Sequence, residues 1–132
     1  MILVDISVLV PFLRGRQTEA TRLLAGALAD EVEVFLSPVI VQEVLQGARD
    51  DREWRALDAY LSSQDLIHPA DGLAGHRQAA RIYYDCRRRG LTIRSTIDCY
   101  VAQLALDHDL AVLHDDRDYE AIRRVRPLKT LP

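Results

Sequence analysis

A chain of 132 residues, 48% hydrophobic and 28% charged, has the length of one folded domain and a globular composition, which excludes disordered and fibrous classes. Its formal charge of −3 lacks the basic footprint usual for a nucleic-acid binder, although of 17 cations all but Lys129 are Arg, whose planar fork suits phosphate. The same Arg bias also follows from high-GC codon usage.

The opening segment MILVDISVLVPFL is apolar, but Asp5 and Pro11 interrupt it and no basic residue precedes it. About 18 uninterrupted apolar residues are needed to span a bilayer, so a cytoplasmic protein is expected rather than a leader or an anchor. Residues 1–5 read as a buried strand that ends at an acid, followed by a short buried helix. A helix is predicted over 18–29. The run 32–36 reads as the next strand and stops at Ser37-Pro38, an N-cap followed by proline at the first helical position, so a helix should start there and run over 39–48. Further helical patterns cover 51–61, 73–89 and 96–108, with a weak strand at Leu66-Ile67. Gly90 is placed to stop the 73–89 helix, whose end carries Arg87, Arg88 and Arg89 as a solvated, dipole-complementing run. The segment DLAVLHDD repeats the opening idea, with 111–113 as a buried strand ending at acids. A last helix is predicted over 118–124 and a weak strand over 128–131. Helices between the strands imply an α/β fold, a central, mainly parallel sheet with helices on both faces, in one domain over 1–132. Cys86 and Cys99 lack metal-type spacing and are expected as free buried thiols.

Four acids stand where such a fold binds ligands, at the carboxyl ends of its strands. Asp5 and Asp116 fall at strand ends. Asp98 lies in the first turn of its helix, and Glu43 lies about two turns into the helix that Ser37 starts. Two carboxylates about 5 Å apart repel by roughly 3 kcal/mol at an effective dielectric of about 20, so a crevice holding four needs a compensating cation such as Mg²⁺ or Mn²⁺. Each acid also has a plainer reading. Asp98 with Ser95 fits the capping pattern S-x-x-D, Asp115 or Asp116 can cap the last helix, Asp118 can favour its positive end, and Glu43 can be a solvated helix residue. Asp5 has the weakest alternative, because it interrupts an otherwise buried segment.

With these positions placed, the chain resembles the PIN-domain family, and more narrowly the VapC toxins, along nearly its whole length. MILVDISVLV is similar to the family's first strand with its metal-binding acid, here Asp5. SPVIVQEVLQGAR resembles the helix that carries Glu43. GLTIRSTIDCYVAQLALDHDLAVLHDDRDYEAI is the most specific match, and it places Asp98 and Asp116 as the third and fourth acids, next to Asp115, and Asp118 as an auxiliary acid. The chain departs from the family at Ile6, where Thr or Ser usually follows the first Asp; Ser7 stands one residue later.

The resemblance implies that Asp5, Glu43, Asp98 and Asp116 hold one or two Mg²⁺ or Mn²⁺ ions and that water attacks an RNA phosphodiester. It also implies an endoribonuclease toxin, a homodimer, and a small VapB-type antitoxin as partner. Arg94 and Arg117 flank the acids and read equally as RNA phosphate contacts or as partners of those acids. His114 reads as structural. Two rival readings remain: a housekeeping PIN nuclease that processes RNA without an antitoxin, and a receiver-like or non-catalytic α/β binding module. The receiver reading needs a lysine near the last strand, which only Lys129 loosely fits.

Overall fold

In the computed structural model, which describes residues 1–131, five short strands form one parallel sheet in the order β3-β2-β1-β4-β5. The last residue of the expected domain, Pro132, lies outside the described residues. In chain order the elements are β1 (Ile2–Val4), α1 (Ile6–Leu13), α2 (Glu19–Ala29), β2 (Val34–Leu36), α3 (Pro38–Gln46), α4 (Asp51–Ser62), β3 (Asp65–Leu66), α5 (Gly72–Arg88), α6 (Thr96–Asp107), β4 (Ala111–Leu113), α7 (Arg117–Arg123) and β5 (Lys129–Leu131). Every predicted element is present, with boundaries moved by one or two residues.

Successive residues of β1 are all buried, as are Val112 and Leu113 of β4. Side chains alternate between the two faces of a strand, so burial without alternation means that helices cover both faces. In register, Leu3 pairs with Phe35 of β2 on one side and Val112 of β4 on the other. From β1 the chain moves outward through β2 to β3, then crosses back to β4 and β5. The connections therefore diverge on either side of the β1–β4 pair, and the carboxyl ends of these two strands border the crevice where an open parallel sheet takes its ligand.

Local chemistry explains how the helices are set around that edge. Ser37 caps α3, its hydroxyl accepting the Ile40 N–H at 3.4 Å, and Pro38 is the first helical residue. Gly90 follows α5 at φ +73°, the left-handed conformation that ends a helix at little cost only for glycine. Helix α6 is buried over most of its length, through Asp98, Cys99, Val101, Ala102, Gln103, Leu104 and Ala105. An acid in its first turn is thereby carried into the protein rather than out to solvent. Both cysteines are free and buried. No helix among the described residues is long and apolar enough to cross a membrane.

The capping box that the S-x-x-D pattern offers as the plainer reading of Ser95 and Asp98 does not form. Ser95 is the N-cap of α6 but makes no side-chain cap hydrogen bond, and only its carbonyl accepts from the Asp98 N–H, at 3.2 Å. Its own N–H is drawn instead to Asp118.

Candidate metal centre

Asp5 leaves the end of β1 and caps α1 with extended backbone. It is 1% exposed, and three donors hold its carboxylate. The Ser7 N–H and hydroxyl donate to Oδ2 at 3.0 and 2.6 Å, and the Tyr119 hydroxyl donates to Oδ1 at 2.6 Å. The Ser7 hydroxyl also accepts the Asp115 N–H at 2.9 Å, which ties the β1 end to the loop after β4. Short bonds from neutral donors to an ionised acceptor are the strong kind. Ser7 thus supplies a hydroxyl contact to the first acid although Ile6 directly follows it.

Asp116 caps α7, its Oδ1 accepting the Asp118 N–H at 2.9 Å. Asp118, 2% exposed, accepts the Arg94 N–H on both oxygens at 3.1 and 3.0 Å and the Ser95 N–H at 2.9 Å. These bonds anchor the segment that enters α6 and bring Asp98 beside the other two. One oxygen from each of Asp98, Asp116 and Asp118 lies within 4.8 Å of the others. At that separation each ionised pair repels by at least about 3.5 kcal/mol at an effective dielectric of about 20.

Asp98 carries the consequence. Burial first, then the charge of Asp5, a hydrogen bond shared with Asp118 and the charges of Asp116 and Asp118 push its carboxyl up to about 9. As an anion it would leave Oδ2 buried without a partner. Without a cation, the cluster therefore keeps a proton on Asp98 at neutral pH.

Glu43 on α3 stands somewhat apart from this group. Its carboxyl is raised by burial and by the charge of Asp5, and Oε1 is buried without a partner. It lines a cleft of about 860 Å³ with Val10, Leu13, Arg14, Val44 and Leu57, between α1, α3 and α4. Asp115 is exposed, whereas its neighbour Asp116 joins the cluster. His114 accepts the Asp116 N–H on Nδ1 at 3.2 Å and lies 4.7 Å from the Tyr119 ring and 3.6 Å from Glu120 Oε1; burial shifts its titration down, toward the neutral form. Arg94 and Arg117 are exposed, and among the described residues neither guanidinium forms an ion pair with the acids. Arg94 meets Asp118 through its backbone instead.

Two contributions were not drawn from the sequence. Asp118 sits inside the cluster rather than beside it, and Tyr119 anchors Asp5. The signal for Tyr119 was partial, since a tyrosine on the buried side of a helix needs a partner for its hydroxyl, but nothing local points to Asp5 as that partner.

The donor set is all oxygen, crowded, and short of positive charge, with a buried carboxylate oxygen left over. This fits a hard divalent ion of the Mg²⁺ or Mn²⁺ type. Comparison with known proteins adds the following. The family model for the PIN domain matches residues 2–125. The chain is 32% identical over 130 residues to ribonuclease VapC11 of Mycobacterium tuberculosis, across 98% of this chain and 96% of that protein. Its fold is similar to that of VapBC-1 from nontypeable Haemophilus influenzae, with a TM-score of 0.77 at 15% identity over 99% of this chain and 97% of that one. It is also similar to VapBC2 from Rickettsia felis bound to a promoter DNA fragment, with a TM-score of 0.74 at 16% identity over 99% and 98% of the two chains.

Proposed function

The chain belongs to the PIN-domain family, and we propose that it is a metal-dependent endoribonuclease, the toxin of a type II toxin-antitoxin pair. The observation that carries the chemistry is the grouping of Asp98, Asp116 and Asp118 within 4.8 Å, with an orphan carboxylate oxygen, beside the anchored Asp5. In this reading Asp5, Glu43, Asp98 and Asp116 hold Mg²⁺ or Mn²⁺, and Asp118 assists. Such an ion, when bound, supplies Lewis acidity toward a phosphate oxygen and toward water.

The protein's own residues do the rest. Ser7 and Tyr119 fix Asp5 in one orientation, so this acid would need no reorientation to hold the ion. Asp118 holds the entry to α6 through two backbone N–H groups and so sets the position of Asp98. Asp98, crowded by Asp5, Asp116 and Asp118, would be held in its ionised form only beside a bound cation, its proton passing to solvent. Arg94 and Arg117, exposed at the rim, contact the RNA backbone. Water attacks phosphorus and the 3′-oxygen departs, leaving a 5′-phosphate and a 3′-hydroxyl.

Action in the cytoplasm and as a homodimer are parts of the same proposal, as is a VapB-type antitoxin. The cleft beside Glu43, lined by Val10, Leu13, Val44 and Leu57 together with Arg14, Arg49 and Glu53, is where the antitoxin would dock. The test is incubation of purified protein with total RNA in Mg²⁺, in Mn²⁺ and in EDTA. Cleavage that stops in EDTA supports the reading, and undiminished cleavage in chelator overturns it.

A further inference from the structure

The chain's charge is unevenly distributed. Segments 85–89 and 120–126 hold six arginines and two acids, a local charge of +4 within a chain of −3, so the remainder carries −7. These segments are the ends of α5 and α7, and they are joined. Arg89 donates from Nη1 to the Arg124 carbonyl, and Arg126 Nη2 meets Asp85 Oδ2 at 2.9 Å. We propose that this junction is a second contact surface for the phosphate backbone of a single RNA strand, outside the acidic centre. The proposal rests on the ribonuclease reading.

Ion pairing does not use up the cations. Asp85 is shared between Arg126 and Arg81, and Glu120 takes Arg123 at 3.3 Å. Arg87, Arg88 and Arg124 are exposed and, among the described residues, form no salt bridge. Two helix C-termini meet here, but each contributes only about −0.5 of a charge, which leaves roughly +3 of the local excess. Exposed guanidinium forks of this kind match phosphate oxygens.

A second observation points to a single strand rather than a duplex. Tyr84 is 41% exposed, with the Arg81 guanidinium 4.9 Å and the Arg87 guanidinium 5.7 Å from its ring centre. A half-exposed ring with guanidinium planes over it forms a cationic stack to which an unpaired base can add. The surface is also continuous with the site. Residues 90–95 run from the end of α5 to Asp118, and α7 starts at the cluster and ends among the arginines. Its 7 residues span about 10 Å, or about three nucleotides at a stacked rise of 3.4 Å. An RNA strand leaving the acids past Arg94 and Arg117 reaches the surface within that distance.

The experiment is binding of a fluorescein-labelled single-stranded oligoadenylate of about 12 nucleotides, followed by anisotropy in EDTA over a range of KCl. The variant is Arg87→Gln/Arg88→Gln/Arg124→Gln, which leaves the interhelix contacts of Arg89 and Arg126 intact. Each lost phosphate contact flattens the salt slope by about 0.7, so the slope should fall by about 2 and affinity near 0.1 M salt on the order of 100-fold. A control with the same charge loss elsewhere, Arg22→Gln/Arg52→Gln/Arg55→Gln, should change the slope by less than about 0.5. Tyr84→Ala should weaken binding about tenfold with the slope unchanged. Equal losses in the two triple variants, or no loss in either, overturn the proposal. A wild-type protein that never cleaves RNA but binds it through these arginines would instead refute the ribonuclease reading alone.

Discussion

Asp98→Asn probes the cluster most sharply, because the variant keeps the side chain's shape and removes its titration. In the folded protein the Asp98 carboxyl is pushed up to about 9 by burial, Asp5 and Asp118, against 3.8 as its ordinary value. Between those two values the folded state holds a proton that the unfolded state has lost. Stability attributable to this group is therefore full at acidic pH and falls as pH rises, by about 1.4 kcal/mol per pH unit. From about pH 5 to about pH 8 wild type should lose up to about 4 kcal/mol relative to Asp98→Asn, which has no such proton to lose. Guanidinium unfolding in EDTA at several pH values measures it. Asp98→Asn should show the shallower decline toward alkaline pH, and saturating Mn²⁺ should restore the advantage to wild type alone. Parallel pH profiles for the two proteins would refute the crowding argument.

Two further outcomes are expected. Tyr119→Phe keeps the ring against His114 but strips Asp5 Oδ1 of its donor in a buried setting, so unfolding free energy in EDTA should drop by about 1.5 to 3 kcal/mol; a loss below about 0.5 means the hydroxyl does not hold the acid. Arg94→Ala leaves the backbone bonds to Asp118 in place, so Mn²⁺ affinity by calorimetry should be unchanged while the salt slope of RNA binding falls by about 0.7; a lost Mn²⁺ site would mean that Arg94 orients carboxylates instead.

The strands and helices were readable because their signals are local. Ser37-Pro38 starts α3 and Gly90 ends α5 through residues that touch only their neighbours. Asp5 stood out for the same reason, as an acid inside an apolar run. What the sequence did not disclose depends on partners far along the chain. Tyr119 reaches Asp5 across 114 positions, and Ser7 meets the Asp115 N–H across 108. The S-x-x-D pattern suggested a cap that does not form, because Asp118, more than 20 residues later, takes the Ser95 N–H and turns Asp98 into the cluster. Spacing also cannot show that Glu43 shares Asp5's field while standing apart from the other three acids, since that depends on how α3 packs beside α1.

The central claim is that these carboxylates serve water-driven cleavage of RNA, and the chemistry of the cut ends tests it most directly. RNA digested by the purified protein in Mn²⁺ should carry 5′-phosphates and 3′-hydroxyls, detected by ligation that requires a 5′-phosphate. Fragments ending in 2′,3′-cyclic phosphate would show that the RNA's own 2′-hydroxyl is the nucleophile and would contradict the account.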